Sequence, residues 1–279
     1  MAENMFIVVD NDLETATHTT TGSFVAGLTP DNFTNEDKSF VMRTSAASDF
    51  YVEYTWGAPI PLNSVALAQY NFDANTSIRV RIWNTDDTGL TPVYDSGATG
   101  TSQYKLWGID WEWGIDGFDS IIDEGVSEDI SLLTFDTVGG KKLRIDFTDS
   151  TNADGYTQVG RAFVGQGFQP RVNASWGLQF TDVDDTIHSR AQDGLWANKG
   201  NHYRQLEFAL EWLNDSEHMT LRSDLKRRGR HQDIMVIVYP DEYEAKKNMY
   251  AIIGKLSENV SFNHNFFCNY VSNYVLMEN

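Results

Sequence analysis

The chain has 279 residues, of which 41% are hydrophobic and 13% aromatic, and its formal net charge is −19. Eight Trp, twelve Tyr and sixteen Phe exclude a disordered chain, and enrichment of this kind suits the half-buried surface of a sheet. The charge excludes general nucleic-acid binding, because an acidic surface repels phosphates, and Lys38 and Arg43 are the only basic residues between Met1 and Ile78.

In chain order, Phe50 to Trp56 alternates as a strand and stops at Gly57, after which Pro59 and Pro61 are expected to break the chain. Ser64 to Tyr70 is a short apolar run of strand length, and Asn71 to Thr76 is a turn cluster. Ser77 to Trp83 alternates polar and apolar, the period of a strand with one wet face. Asn84 to Gly89 turns again, and Asp95-Ser96-Gly97 closes the unit. Strand, turn, strand at this spacing predicts an antiparallel sandwich or barrel. Residues 103–136 then read as a long insertion, with Trp107, Trp111 and Trp113 among nine acidic residues and one lysine. Strands resume at Leu143 to Phe147 and Tyr156 to Val164, around a turn at Asp149 to Gly155.

The second part differs. Gln205 to Trp212 alternates as a strand. Asn214, Asp215 and Ser216 offer helix N-caps, and Lys226, Arg227 and Arg228 complement the negative end of a helix dipole before Gly229. These signals predict one helix over 216–228. Ile234 to Tyr239, Tyr250 to Leu256 and Phe262 to Met277 supply further strands. Cys268 is the single cysteine, so no intrachain disulfide and no CxxC metal site can form, and it is expected to be buried as a small hydrophobe.

Little catalytic chemistry is legible. Asp110, Glu112, Asp116 and Asp119 lie beside the three tryptophans, which would suit sugar cleavage only if two carboxylates flanked a glycosidic bond. A solvated acidic loop is the plainer reading. Ser150 to Gly155 resembles the start of a calcium-binding loop, but Arg161 stands where a bidentate carboxylate is required. The six histidines show no metal-ligand spacing, and neither a nucleophile elbow nor a phosphate loop occurs. The expectation is no enzyme, no metal and no cofactor. Arg222, Lys226, Arg227, Arg228 and Arg230 form a basic cluster that could meet an acidic partner. No apolar run approaches the ~20 residues that span a bilayer, and the N-terminus lacks the pattern of a secretory signal, so membrane insertion is not expected.

Two segments carry a family resemblance. Val65-Ala66-Leu67, Val80-Arg81-Ile82 and Tyr94-Asp95-Ser96-Gly97 resemble the galactose-binding-like (discoidin-type) jelly roll found in many phage tail proteins. Lys142 to Asp146, Gly155-Tyr156 and Val159-Gly160-Arg161 are similar to its closing strands. Pro170, Asn173, Trp176-Gly177, Ser189, Tyr203-Arg204 and Phe208 then follow the pattern of tail-tip (distal tail) proteins. The resemblance implies a jelly roll over 1–160 and a tail-hub β module with one helix over 161–279. It further implies a structural component of a phage tail tip or baseplate, made in the host cytoplasm and located in the virion tail. Its expected partners are tail tube, hub and fibre proteins, a homo-oligomeric ring of three- or six-fold symmetry, and host-surface carbohydrate. The alternative class is a carbohydrate-binding module or glycan-acting enzyme. Trp107, Trp111 and Trp113 are the expected partner interface, because large amphipathic rings dominate interface energetics.

Overall fold

The computed structural model describes residues 4–72, 76–97, 99–100, 130–190, 196–240, 249–266 and 268–278. The fold is mainly antiparallel β with one α-helix. The chain divides into two compact units. One comprises Met1–Val9, Phe168–Pro240 and Tyr250–Asn279, and the other Asp10–Gly167 with Asp241–Met249. The main division therefore falls after Gly167, seven residues beyond the 160 read from the sequence, and the first strand belongs with the C-terminal half.

The Asp10–Gly167 unit is a jelly-roll sandwich built on two long strands, β4 (Phe50–Tyr70) and β8 (Ile130–Thr148). Their ladder is antiparallel, from Phe50 opposite Phe147 to Ala68 opposite Ile130, with register shifts at Thr55/Ile60 and Leu62/Ser64. Pro59 and Pro61 sit at this irregularity. Proline cannot donate to a ladder, so it is tolerated where the ladder is already interrupted. The prolines bend one continuous strand rather than ending it. On one side of the bend, β4 and β8 join β2 (Thr17–Thr20) and β5 (Ser77–Trp83), and β5 also pairs with the short strands β6 (Tyr94–Asp95) and β7 (Thr99–Gly100). On the other, β4 pairs with β9 (Gln158–Gly165), which pairs with β3 (Met42–Arg43). The two halves bury a common core that includes Val52, Tyr54, Ile145 and Val80 from one side and Val65, Leu67, Val159 and Val164 from the other. The last seven residues of the expected insertion, Ile130 to Asp136, are thus the start of β8.

Alternation decides what this sheet shows to water. Ile78, Val80 and Ile82 point inward, and Arg79 and Arg81 outward. The outer face carries ion pairs: Arg81 to Asp146 at 2.7 Å, Lys142 to Glu53 at 2.9 Å and Arg79 to Asp95 at 2.5 Å. The hydrogen bonds from Arg79 hold the Asp95 carboxyl at about 2, below the usual carboxylate range.

The other unit is built on an antiparallel sheet in the order β1 (Phe6–Val8), β14 (Ile234–Ile237), β15 (Ala251–Leu256), β17 (Asn269–Glu278), β13 (His202–Leu213), β10 (Gln179–Asp184), with β16 (Phe262–Phe266) also paired to β17 and a separate two-stranded sheet of β11 (Ile187–Arg190) and β12 (Trp196–Lys199). Leu221 and Leu225 of helix α1 (Asp215–Arg228) join its core beside Leu206, Phe208 and Leu276. The helix starts where its caps predict. Asn214 accepts from the Glu217 N–H, Glu217 reaches back to the Asn214 N–H, and Gly229 closes the end with φ +69°. Cys268 is exposed rather than buried, in a turn with φ +57°. Among the described residues no helix is long and apolar enough to cross a membrane.

Candidate functional site

The most organised polar structure in the jelly roll is built around a buried carboxylate. Asp149, just past the end of β8, is 1% exposed. It accepts hydrogen bonds from Thr76 Oγ1 (2.5 Å), Thr157 Oγ1 (2.5 Å) and Asn152 Nδ2 (2.9 Å). A buried carboxylate is costly unless its oxygens are satisfied, and here three donors from two loops converge on it. Asn152 also donates to the Asn71 carbonyl (3.0 Å), and its own Oδ1 accepts from the Asp154 N–H (3.0 Å). Gly155 takes φ +76° to close the turn, a conformation that favours glycine. The Ser150–Gly155 loop therefore spends its polar groups on hydrogen bonds that fix its own shape.

On this base stands a partly exposed shelf formed by the ends of β3, β4 and β9. Arg43 donates from Nε (3.0 Å) and Nη2 (2.6 Å) to Gln158 Oε1, and its guanidinium carbon lies 4.2 Å from the centroid of the Tyr156 ring. Asn71 accepts from the Gln158 N–H (2.6 Å) and donates to Asp154 Oδ2 (2.9 Å) and the Tyr156 carbonyl (3.0 Å). Asp154 is exposed, while Arg43, Asn71, Tyr156 and Gln158 are half-buried. Among the described residues, Arg43 Nη1, Gln158 Nε2, the second oxygen of Asp154 and the Tyr156 hydroxyl make no hydrogen bond. The shelf thus offers guanidinium and amide donors, a carboxylate acceptor and a phenol that can do both, beside a ring held by a cation–π contact. Arg43, Gln158 and Asp154 are oriented by hydrogen bonds within the shelf, and the Tyr156 ring by its contact with Arg43.

Such an arrangement suits a ligand with many hydroxyls and an apolar C–H face. Each hydroxyl can donate to a carboxylate while accepting from an N–H, and the ring covers the C–H face. It is a poor arrangement for covalent chemistry, since no nucleophile, base and orienting group stand in contact.

The sequence-derived candidates fall elsewhere. Trp107, Trp111 and Trp113, with Asp110, Glu112, Asp116 and Asp119, lie outside the described residues. His218 and His264 sandwich Tyr270, with ring centroids at 3.9 and 4.7 Å, which makes them packing partners. No group of three or more His, Cys, Asp or Glu side chains placed to hold a metal occurs among the described residues. Sequence reasoning passed over Arg43, Asn71, Asp154, Tyr156 and Gln158. Asn71 and Asp154 sit in turns it recognised, but the contact of Arg43 with Gln158 spans most of the unit and leaves no local signal.

No protein-family model matches the chain, and no curated protein matches it. Among solved structures, it is similar to chitosan-binding module 1 of a chitosanase/glucanase from Paenibacillus sp. IK-5, at 14% identity and a TM-score of 0.38 over 56% of this chain and 99% of the module. A second likeness is to the family 32 carbohydrate-binding module of C. perfringens NanJ in complex with galactose, at 13% identity and a TM-score of 0.36 over 57% and 98%. A third is to a fucosidase of Ruminococcus gnavus, at 11% identity and 0.38, covering 57% of this chain and only 27% of the enzyme. At these scores the likeness is coarse and transfers no ligand. Nothing in the comparisons indicates a phage tail-tip protein, a baseplate or an oligomeric ring, so those expectations gain no support.

Proposed function

We propose that the protein is a carbohydrate-binding protein whose jelly-roll unit holds a glycan, without cleaving it, on the shelf of Arg43, Asn71, Asp154, Tyr156 and Gln158. One observation carries the reading: donors and acceptors with no partner among the described residues are held rigidly beside a tyrosine ring, on loops anchored by Asp149. A preorganised site of this kind loses little freedom on binding, which suits weak polar ligands such as sugars. The alternative of a glycan-cleaving enzyme finds no paired acid and nucleophile on this shelf, since Asp154 is its single carboxylate. In a phage tail, where the sequence resemblance would put the chain, the same surface would face cell-envelope sugars.

The test is a glycan-array screen followed by calorimetry on the best ligand, with Tyr156→Ala and Asp154→Asn beside the wild-type chain. Both variants should weaken binding at least tenfold while leaving the melting temperature within a few degrees. Binding that survives both substitutions, or an array with no hits, would remove the proposal.

A further inference from the structure

We propose that a pocket beside the end of α1 docks an acidic peptide segment through one bulky apolar side chain. The unit bearing this pocket is separate from the jelly roll, so the inference stands apart from the glycan reading.

Five of the 21 lysines and arginines of this acidic chain fall between Arg222 and Arg230. Arg222 and Lys226 are four residues apart, hence on one face of the helix, and Arg230 follows the Gly229 cap. The three cations rim a pocket of about 310 Å³ whose floor is Leu225, Leu256, Val260 and Phe262. Arg230 is held in place by donating to the carbonyls of Leu256 and Ser257. Arg222 and Lys226 are exposed and make no ion pair with a carboxylate among the described residues. The negative end of the helix dipole offsets only roughly half a unit charge. The rim therefore stays positive on a protein whose net charge is −19.

The chemistry of rim and floor selects the occupant. A free inorganic anion would use the cations and leave the apolar floor wet. A nucleic acid would meet the repulsion of the remaining surface. A small molecule would find a space at the bottom of the usual range, since ligand pockets run from about 300 to 1,000 Å³. A peptide with one large apolar residue flanked by carboxylates uses both features: the side chain covers the floor and the acids meet the rim. The sequence Leu106 to Asp119 of this chain, with three tryptophans set among four carboxylates, offers such an anchor and provides a ready probe.

A fluorescently labelled synthetic peptide of that sequence, titrated against the full chain and read by anisotropy, tests the idea. Saturable binding should weaken at least tenfold in Arg222→Glu/Lys226→Glu, and by a similar factor on raising salt from low to high. A peptide with amides in place of its carboxylates, and one with serine in place of its tryptophans, should each bind at least tenfold more weakly. Tyr156→Ala should bind like wild type. If the charge reversal disturbs folding, Arg222→Gln/Lys226→Gln carries the same prediction with a smaller loss. No binding, equal binding by the amide or serine peptides, or displacement of the peptide by equimolar inorganic phosphate would overturn the proposal.

Discussion

Arg43 makes two contacts at once: its guanidinium carbon lies 4.2 Å from the Tyr156 ring centroid, and two of its nitrogens donate to Gln158, two residues further along the chain at the start of β9. A planar, forked guanidinium makes both contacts at once, whereas the single ammonium of lysine can serve the ring or the amide oxygen but not the two together. Arg43→Lys should therefore keep the charge yet weaken glycan binding at least fivefold, with a melting temperature close to wild type. Titration of the best array ligand checks this. Equal affinity would show that charge alone matters.

Asp149 anchors the shelf from below. Replacing it with Ala leaves the Thr76 and Thr157 hydroxyls and the Asn152 amide without their buried acceptor. Unsatisfied buried groups cost ~1–3 kcal/mol each, so Asp149→Ala should destabilise the jelly roll by about 3 kcal/mol or more. Urea unfolding should show the loss, and glycan binding should fall with it. A stability change below about 1 kcal/mol would mean that water replaces the carboxylate.

Tyr54 presents the opposite case. Its ring is in the core, and its hydroxyl is buried with no hydrogen-bond partner among the described residues. Burial first, then the nearby Asp31 charge, push its pKa far up. Tyr54→Phe keeps the ring and removes the stranded hydroxyl. The variant should be more stable than wild type by ~1 kcal/mol, visible as a higher urea midpoint at unchanged slope. A lower midpoint would reveal a partner for that hydroxyl.

His218 gives the other unit a pH dependence. It is buried, its Nδ1 has no hydrogen-bond partner among the described residues, and burial followed by the Arg222 charge hold its pKa below the usual histidine value. His264 acts in the same direction and Asp215 against it. The folded state then binds fewer protons than the unfolded state at pH below the ordinary value of about 6.5. Its contribution is fully present above that pH and is lost as pH falls toward the depressed folded value. Wild type should lose more stability between pH 7.5 and 5.5 than His218→Phe, which keeps a ring against Tyr270. Equal pH slopes would remove His218 as the cause.

The local signals in the sequence were the ones that needed no distant partner. The Ser77–Trp83 alternation and the Asn214, Glu217 and Gly229 caps each act within a few residues, and β5 and α1 form where those signals lie. Pro59 and Pro61 misled because a bulge in the β4–β8 ladder accommodates them, and that ladder joins residues far apart in the chain. Ile130 to Asp136 ends an acidic, tryptophan-rich stretch, and only its pairing with β4 makes it the start of β8. The shelf was illegible because Arg43, Asn71 and Tyr156 are ordinary turn and edge residues until β3 and β9 pair. Nothing in Phe6–Val8 announces that its partner is Ile234–Ile237.

That last pairing has a consequence for synthesis. Phe6 leaves the ribosome ahead of the jelly roll, but its partner Ile237 comes only after Asp10–Gly167 has been made. At about 5–20 residues per second the apolar strand waits on the order of 10–50 s for its sheet. The inserted unit, nearly complete at Gly167, has time to fold during that interval, before the sheet of the other unit can form. Destabilising the insert would lengthen the time that β1 spends unpaired. A substitution such as Asp149→Ala would then lower the yield of a unit in which no residue has changed.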